Sequence, residues 1–194
     1  MARGRPKQYD EQDVLRSAAD VFRERGFAGT SMQALSEAMQ MGEQSIYNAF
    51  GNKQKVFERA LDQYSAESDA NLHALFGPDA SLPEIEACLS MTVRAAKPCL
   101  VARTSLSEDA EDPTVARKLS RHMRNFESAF LRAIENAVDK GEIECDDPVK
   151  LARYLNMTVV GISVMARSGT SRQALRQMVD VSLQVVRGRP PNGT

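Results

Sequence analysis

Apolar residues recur along this chain at spacings of three and four, without sustained period-two alternation, so helices are predicted almost throughout. From Asp10, the positions Val14, Leu15, Ala18, Ala19 and Phe22 form one stripe, with Arg16, Asp20, Arg23 and Glu24 on the other side. Gly26 is placed to end that helix. Thr30-Ser31-Met32-Gln33 has the form of a capping box, with the Thr30 hydroxyl at the N-cap and Gln33 three residues on. It opens a short helix through Met32, Leu35 and Met39. Gly42 interrupts the pattern, and Ile46 and Phe50 mark a second short helix. Asn52 is placed to cap a longer one with Val56, Phe57, Ala60, Leu61 and Tyr64 on its buried face.

Phe76-Gly77-Pro78-Asp79 is a break, and Ser81-Leu82-Pro83-Glu84 reads as a helix start with proline in the first turn. That helix carries Ile85, Leu89, Met91 and Val93 towards Pro98, and the segment Cys99 to Leu106 follows. Asp112-Pro113 begins a long amphipathic helix through Val115, Leu119, Met123, Phe126, Phe130, Ile134 and Val138, ending at Gly141. Asp147-Pro148 begins another, through Leu151, Leu155, Val159 and Ile162, and Ser171 opens the last. The tail from Gly188 is polar and is expected to be disordered. The expected class is all-α with about nine helices.

Composition narrows the function. The chain has 194 residues, 42% hydrophobic and 26% charged, enough to bury a core without disulfides or metal. The run from Tyr154 to Ala166 is too short to span a bilayer, so no membrane partner is expected. Three cysteines at irregular spacing (Cys88, Cys99, Cys145) fit free thiols in a reducing cytoplasm. The two histidines, His73 and His122, lie on separate helices without a carboxylate or thiol at ligand spacing, and there is no phosphate loop or nucleophile elbow. Neither enzymatic activity nor a cofactor or metal is therefore expected. The net charge of −1 hides one local asymmetry: the first seven residues carry Arg3, Arg5 and Lys7 and no acid. Such an arm lies along a phosphate backbone or in a minor groove, or is simply a solvated terminus.

Two short helices joined by a tight turn, with a longer helix on either side, have the layout of a helix-turn-helix. Its second short helix must hold to the scaffold by one face and present polar or small side chains to the major groove with the other. Ile46 and Phe50 are the inner face, while Glu43, Gln44, Ser45, Tyr47 and Asn48 point elsewhere. An all-α adaptor using its apolar helices only for protein partners is the alternative. At this point the residues add a resemblance. Gly26-Phe27-x-x-Thr30-Ser31, Leu35 and Tyr47-Asn48-Ala49-Phe50-Gly51-Asn52-Lys53 resemble the DNA-binding signature of TetR-family regulators, strongly over residues 10–65.

That resemblance implies an N-terminal arm and helix-turn-helix domain over 1–52 and an all-α effector-binding and dimerisation domain over 53–194. It further implies a repressor that occupies a palindromic double-stranded operator as a homodimer and is released by a small-molecule effector. Thr30 would cap the second helix and, with Ser31, reach a phosphate. Gln44 and Ser45 would meet base edges, with Asn48 beside Tyr47; Tyr47 and Lys53 would contact phosphates, and Arg3 and Arg5 would enter or flank the minor groove. The chain departs from the family at the turn, where Met39-Gln40-Met41-Gly42 replaces a run of small residues. The left-handed position then falls on Gln40, and the cap on Gly42.

In the C-terminal half, Met91, Cys99, Met123, Phe126 and Met157 are candidates to line an effector cavity, or are ordinary packing. Cys99 resembles cysteines that some family members use to sense thiol-reactive compounds; inert core is the alternative. The helix around Tyr154–Ala166 is apolar almost all round. With the one after it, it suggests a four-helix dimer interface carrying Leu155, Ile162, Leu175, Met178, Val179, Ser182 and Val186, against the alternative of a large intramolecular core.

Overall fold

A computed structural model describes residues 9–95 and 99–188. Arg3, Arg5 and Lys7 of the expected arm, Pro98 and the tail beyond Gly188 lie outside them. Among the described residues there are nine α-helices and no strand. The first four are α1 (Glu11–Arg25), α2 (Met32–Met39), α3 (Glu43–Phe50) and α4 (Lys53–Leu75). They are followed by α5 (Leu82–Arg94), α6 (Leu100–Thr104), α7 (Pro113–Asp139), α8 (Pro148–Arg167) and α9 (Arg172–Val186). A 3-10 turn, Glu108–Glu111, precedes α7.

The helix starts follow from local chemistry. Asp10, Asn52, Asp112, Asp147 and Ser171 each accept a backbone N–H of the first turn with their side chains. One expected cap is corrected. Ser31, not Thr30, caps α2, its Oγ accepting from the Ala34 N–H at 3.1 Å. Thr30 is 2% exposed and donates its hydroxyl to the Gly26 carbonyl at 2.6 Å, because it sits one residue too early to face the helix.

Two clusters of buried side chains share the interior. One joins Phe22, Leu35, Ile46, Phe50, Phe57 and Leu61. Phe22 and Phe57 meet edge to face with centroids 4.9 Å apart. The other joins Ile85, Leu89, Phe130, Ile134, Leu155 and Leu175. Two long helices run through both. α4 gives Val56, Phe57, Ala60 and Leu61 to the first and Leu72 to the second; α7 gives Val115 and Leu119 to the first and Phe130 and Ile134 to the second. Their shared surface is pinned by Asp62, which receives Lys118 and Arg121, and by Asn125, which donates to Asp69 at 2.8 Å.

The stripe expected to form a dimer interface is a second correction. Leu155, Ile162, Leu175, Val179, Ser182 and Val186 are buried inside the protomer, and Met178 packs half-buried against the same core. The physical reason is that α8 and α9 each have two apolar faces. The more regular one packs inward against α5 and α7, leaving Met157 and Met165 of α8 and Val181 and Val185 of α9 exposed.

Candidate nucleic-acid interface and interior cavity

The second short helix, α3, is held by one face. Ile46 is fully buried and Phe50 nearly so. Arg59 of α4 lies over the Phe50 ring at 4.9 Å and pairs with Glu11 of α1, fastening α3 to both neighbours. The opposite face carries Glu43, Gln44, Ser45, Tyr47 and Asn48, all exposed. Gln44 donates to the Asn48 carbonyl oxygen at 3.1 Å, one helical turn away, so the two amides are aligned as a pair. Amides aligned in this way suit an adenine edge, and Ser45 and Tyr47 supply hydroxyls beside them.

The turn that aims α3 has the expected left-handed residue. Gln40 has φ 52° and ψ 39°, the one positive-φ non-glycine among the described residues. Its N–H and that of Met41 close onto the carbonyls of Glu37 and Ser36. Gly42 opens α3 as its N-cap with no side-chain hydrogen bond. Ser36 holds the turn from the other side, donating its hydroxyl to the Met41 carbonyl at 2.6 Å.

Lys53 stands apart from the exposed face. Its ammonium donates to the carbonyls of Phe27 at 3.0 Å and Thr30 at 2.9 Å and lies 4.3 Å over the Phe27 ring. The lysine thus ties the start of α4 to the loop that delivers α2, a role its place in the sequence motif did not disclose. Ser31 remains exposed at the start of α2, where unpaired first-turn N–H groups suit a phosphate oxygen.

A cavity of about 280 Å³ opens between α4, α5, α7 and α8. Of the five candidates from sequence, Met91, Cys99, Met123 and Phe126 line it. Met157 does not: it is 63% exposed on the far side of α8, one residue beyond Asn156, which does face the cavity. Sequence reasoning passed over two further lining rings, Tyr64 and His122. The signal was present, since His122 falls three residues after Leu119 and four before Phe126 on the apolar stripe of α7. Burial pushes the Tyr64 phenol far above its ordinary value and lowers His122 below its own, so both are neutral at pH 7.

A second cavity, about 300 Å³, lies between the α1–α2 loop, α6 and α8. Cys99, Ala102 and Ser163 line both spaces, which makes α6 the wall between them. Cys99 caps α6, its sulfur accepting from the Ala102 N–H at 3.4 Å. Arg103 of the same helix reaches back to Gly26, its guanidinium 2.7 Å from where a Cβ would stand. Any side chain at Gly26 would displace that arginine.

The comparisons with known proteins agree with this layout. The family described as "Bacterial regulatory proteins, tetR family" matches residues 14–60, and "Tetracyclin repressor-like, C-terminal domain" matches residues 84–182. The HTH-type transcriptional regulator YezE of Bacillus subtilis (strain 168) is 31% identical, covering 94% of this chain and 99% of its own. The HTH-type transcriptional repressor ComR of Escherichia coli (strain K12) is 30% identical, covering 95% and 92%. Among solved structures, a cysteine mutant of the TetR-family regulator CifR complexed with 26bp double-strand operator DNA superposes with a TM-score of 0.79 at 28% identity, covering 93% of this chain and 98% of that one. The reduced form of E. coli NemR shares the fold, with a TM-score of 0.80 at 17% identity, covering 92% and 98%. With both family descriptions matched in chain order, and with relatives aligned nearly end to end, the chain belongs to the TetR family of helix-turn-helix transcriptional regulators.

Proposed function

We propose that this regulator is a homodimeric repressor that occupies a palindromic operator through α3 and is released when a small molecule enters the cavity between α4, α5, α7 and α8. The observation that carries the DNA reading is the division of α3. Ile46 and Phe50 are buried, while every other residue from Glu43 to Asn48 is exposed and polar or amphipathic. Gln44, Ser45 and Asn48 read base edges; Tyr47 and the start of α2 at Ser31 take phosphates. Thr30 acts through its backbone and its bond to Gly26, and Lys53 by holding the α2 entry in place.

Release follows from the position of α6. It touches α1, α4 and α8, and its residues Cys99 and Ala102 form part of the cavity wall. An occupant that moves α6 displaces Arg103 from Gly26 and with it the end of α1, changing the separation of two recognition helices across the dimer axis. The effector must bind that displaced arrangement more tightly than the operator-competent one. The second copy docks on the exposed apolar face of α8 and α9.

The test is binding to the intergenic DNA upstream of the chain's own coding region, measured at several salt concentrations. The expected result is preference over an unrelated duplex of equal length and a steep negative dependence on salt. Equal affinity for both duplexes overturns the reading.

One observation supports a second mode of release. Cys99 is half-buried, lines both cavities and caps α6, so alkylation of its sulfur removes the cap and adds bulk at the wall. Loss of operator binding on treatment with an electrophile, abolished by Cys99→Ser, would establish it. Unchanged binding after full modification of Cys99 would dismiss it.

A further inference from the structure

Among the described residues, no Asp, Glu, Lys or Arg contributes to the wall of the cavity between α4, α5, α7 and α8. An anionic ligand would lose part of its hydration there and meet no counter-ion among those residues. These walls therefore favour an uncharged occupant over an anion. One wall is a row of rings, with Tyr64 and His122 centroids 6.5 Å apart and His122 and Phe126 5.1 Å apart. Met91 and Met123 add polarisable thioethers, which pack well against flat aromatic faces.

Four buried side-chain nitrogen or oxygen atoms among the described residues have no hydrogen-bond partner: Arg23 Nε, Ser65 Oγ, Asp69 Oδ1 and His122 Nδ1. Only the last belongs to a residue of this cavity. His122 is 5% exposed, and an unpaired ring nitrogen at that depth is costly unless something meets it. A hydroxyl meets it in either tautomer, because it both donates and accepts.

We propose that this cavity binds an uncharged aromatic molecule bearing a hydroxyl group, which hydrogen-bonds Nδ1 of His122 while its ring packs against Tyr64, Phe126, Met91 and Met123. The ligand class rests on reading this space as the effector site, but it is tested on the protein alone, without DNA. Its volume, close to the lower bound of roughly 300 Å³ for small-molecule pockets, suits one or two fused rings.

The probes are 2-naphthol, neutral at pH 7, its methyl isostere 2-methylnaphthalene, and the anion 2-naphthoate, titrated into the full chain by fluorescence or calorimetry. Expected are saturable binding of 2-naphthol and at least tenfold weaker binding of 2-naphthoate. The ratio of 2-methylnaphthalene to 2-naphthol dissociation constants should fall about tenfold in His122→Phe, the value of one well-made hydrogen bond. His122→Gln, which keeps an acceptor and a donor, should restore most of that ratio and guards against a folding defect in the phenylalanine variant. Binding of 2-naphthoate as tight as 2-naphthol overturns the neutral class. An unchanged ratio in His122→Phe, or no binding of any probe, overturns the assignment even where operator binding succeeds. Failure of operator binding alone counts against the repressor reading and leaves these ratios to be read independently.

Discussion

The ammonium of Lys53 donates to the Thr30 carbonyl at 2.9 Å, joining the first residue of α4 to the residue that precedes the α2 cap. Thr30 in turn donates its hydroxyl to the Gly26 carbonyl, so one continuous set of bonds runs from the end of α1 to the start of α4. The helix-turn-helix is thereby closed into a ring rather than left as a protrusion.

Lys53→Met should lower unfolding stability by about 1–3 kcal/mol, the range for losing hydrogen bonds to a charged donor at a part-buried site. The operator affinity of this variant should fall while the slope of log K against log salt stays that of the parent, rather than shrinking by the roughly 0.9 that loss of one phosphate contact would give. Tyr47→Phe should weaken operator binding without touching stability. Its hydroxyl is on an exposed face, so urea midpoints stay unchanged and operator affinity drops roughly fivefold, the value of about 1 kcal/mol. A reduced salt slope in Lys53→Met would return that lysine to a direct phosphate contact.

Gln40 is strained by its left-handed backbone, and its side chain is exposed. Gln40→Gly removes that strain while adding freedom to the unfolded chain, and the first effect is the larger. The expected gain is about 0.5–1 kcal/mol, read from denaturant midpoints with an unchanged m-value. Gln40→Val, β-branched at the same φ, should lose stability instead. If both variants matched the parent, the turn would be relaxed already.

The helix pattern was legible because capping residues and three-four spacing are local properties, and eight of the nine helices begin within two residues of a capping side chain or proline that sequence displays, α3 with its Gly42 cap being the exception. The exposed face of α3 was legible for the same reason. What was not legible depended on which of two apolar faces finds a neighbour first. Leu155 and Ile162 look the same in sequence whether they pack against α7 or against a second chain. Met157 and Asn156 are adjacent, yet one is at the surface and the other lines the cavity, a difference set by the rotation of α8 on its neighbours. The role of Lys53 was hidden because its partners are backbone carbonyls more than twenty residues away.

The thiols should separate by burial. Burial pushes Cys88 up to about 12, leaving on the order of one molecule in ten thousand as thiolate at pH 8. In a Cys145→Ser background, a maleimide at pH 8 should therefore modify Cys99 well before Cys88. Raising the pH towards 9.5 should accelerate Cys88 about tenfold for each pH unit, since its thiolate fraction is still far from saturation. Equal rates at the two sites, followed by peptide mass mapping, would mean that Cys88 is exposed by opening of α5.

The exposed apolar face of α8 and α9 provides the last expectation. Met157 is 63% exposed and Val181 46%, on two helices that pack against each other. Gly161, one turn beyond Met157, has open space where its Cβ would stand, so a second helix can approach there closely. Met157→Glu with Val181→Glu places two charges on this face without touching the protomer core. Sedimentation should then give the 21.4 kDa of a single chain where the parent gives twice that mass, with helical content unchanged. Operator affinity should fall steeply, because two half-sites can no longer be held by one body. A parent that sediments as one chain, or a double variant that stays paired, would place the dimer contact elsewhere. The inward-facing set of Leu155, Ile162 and Val179 would not regain that role, since exposing it requires opening the core that carries α5 and α7.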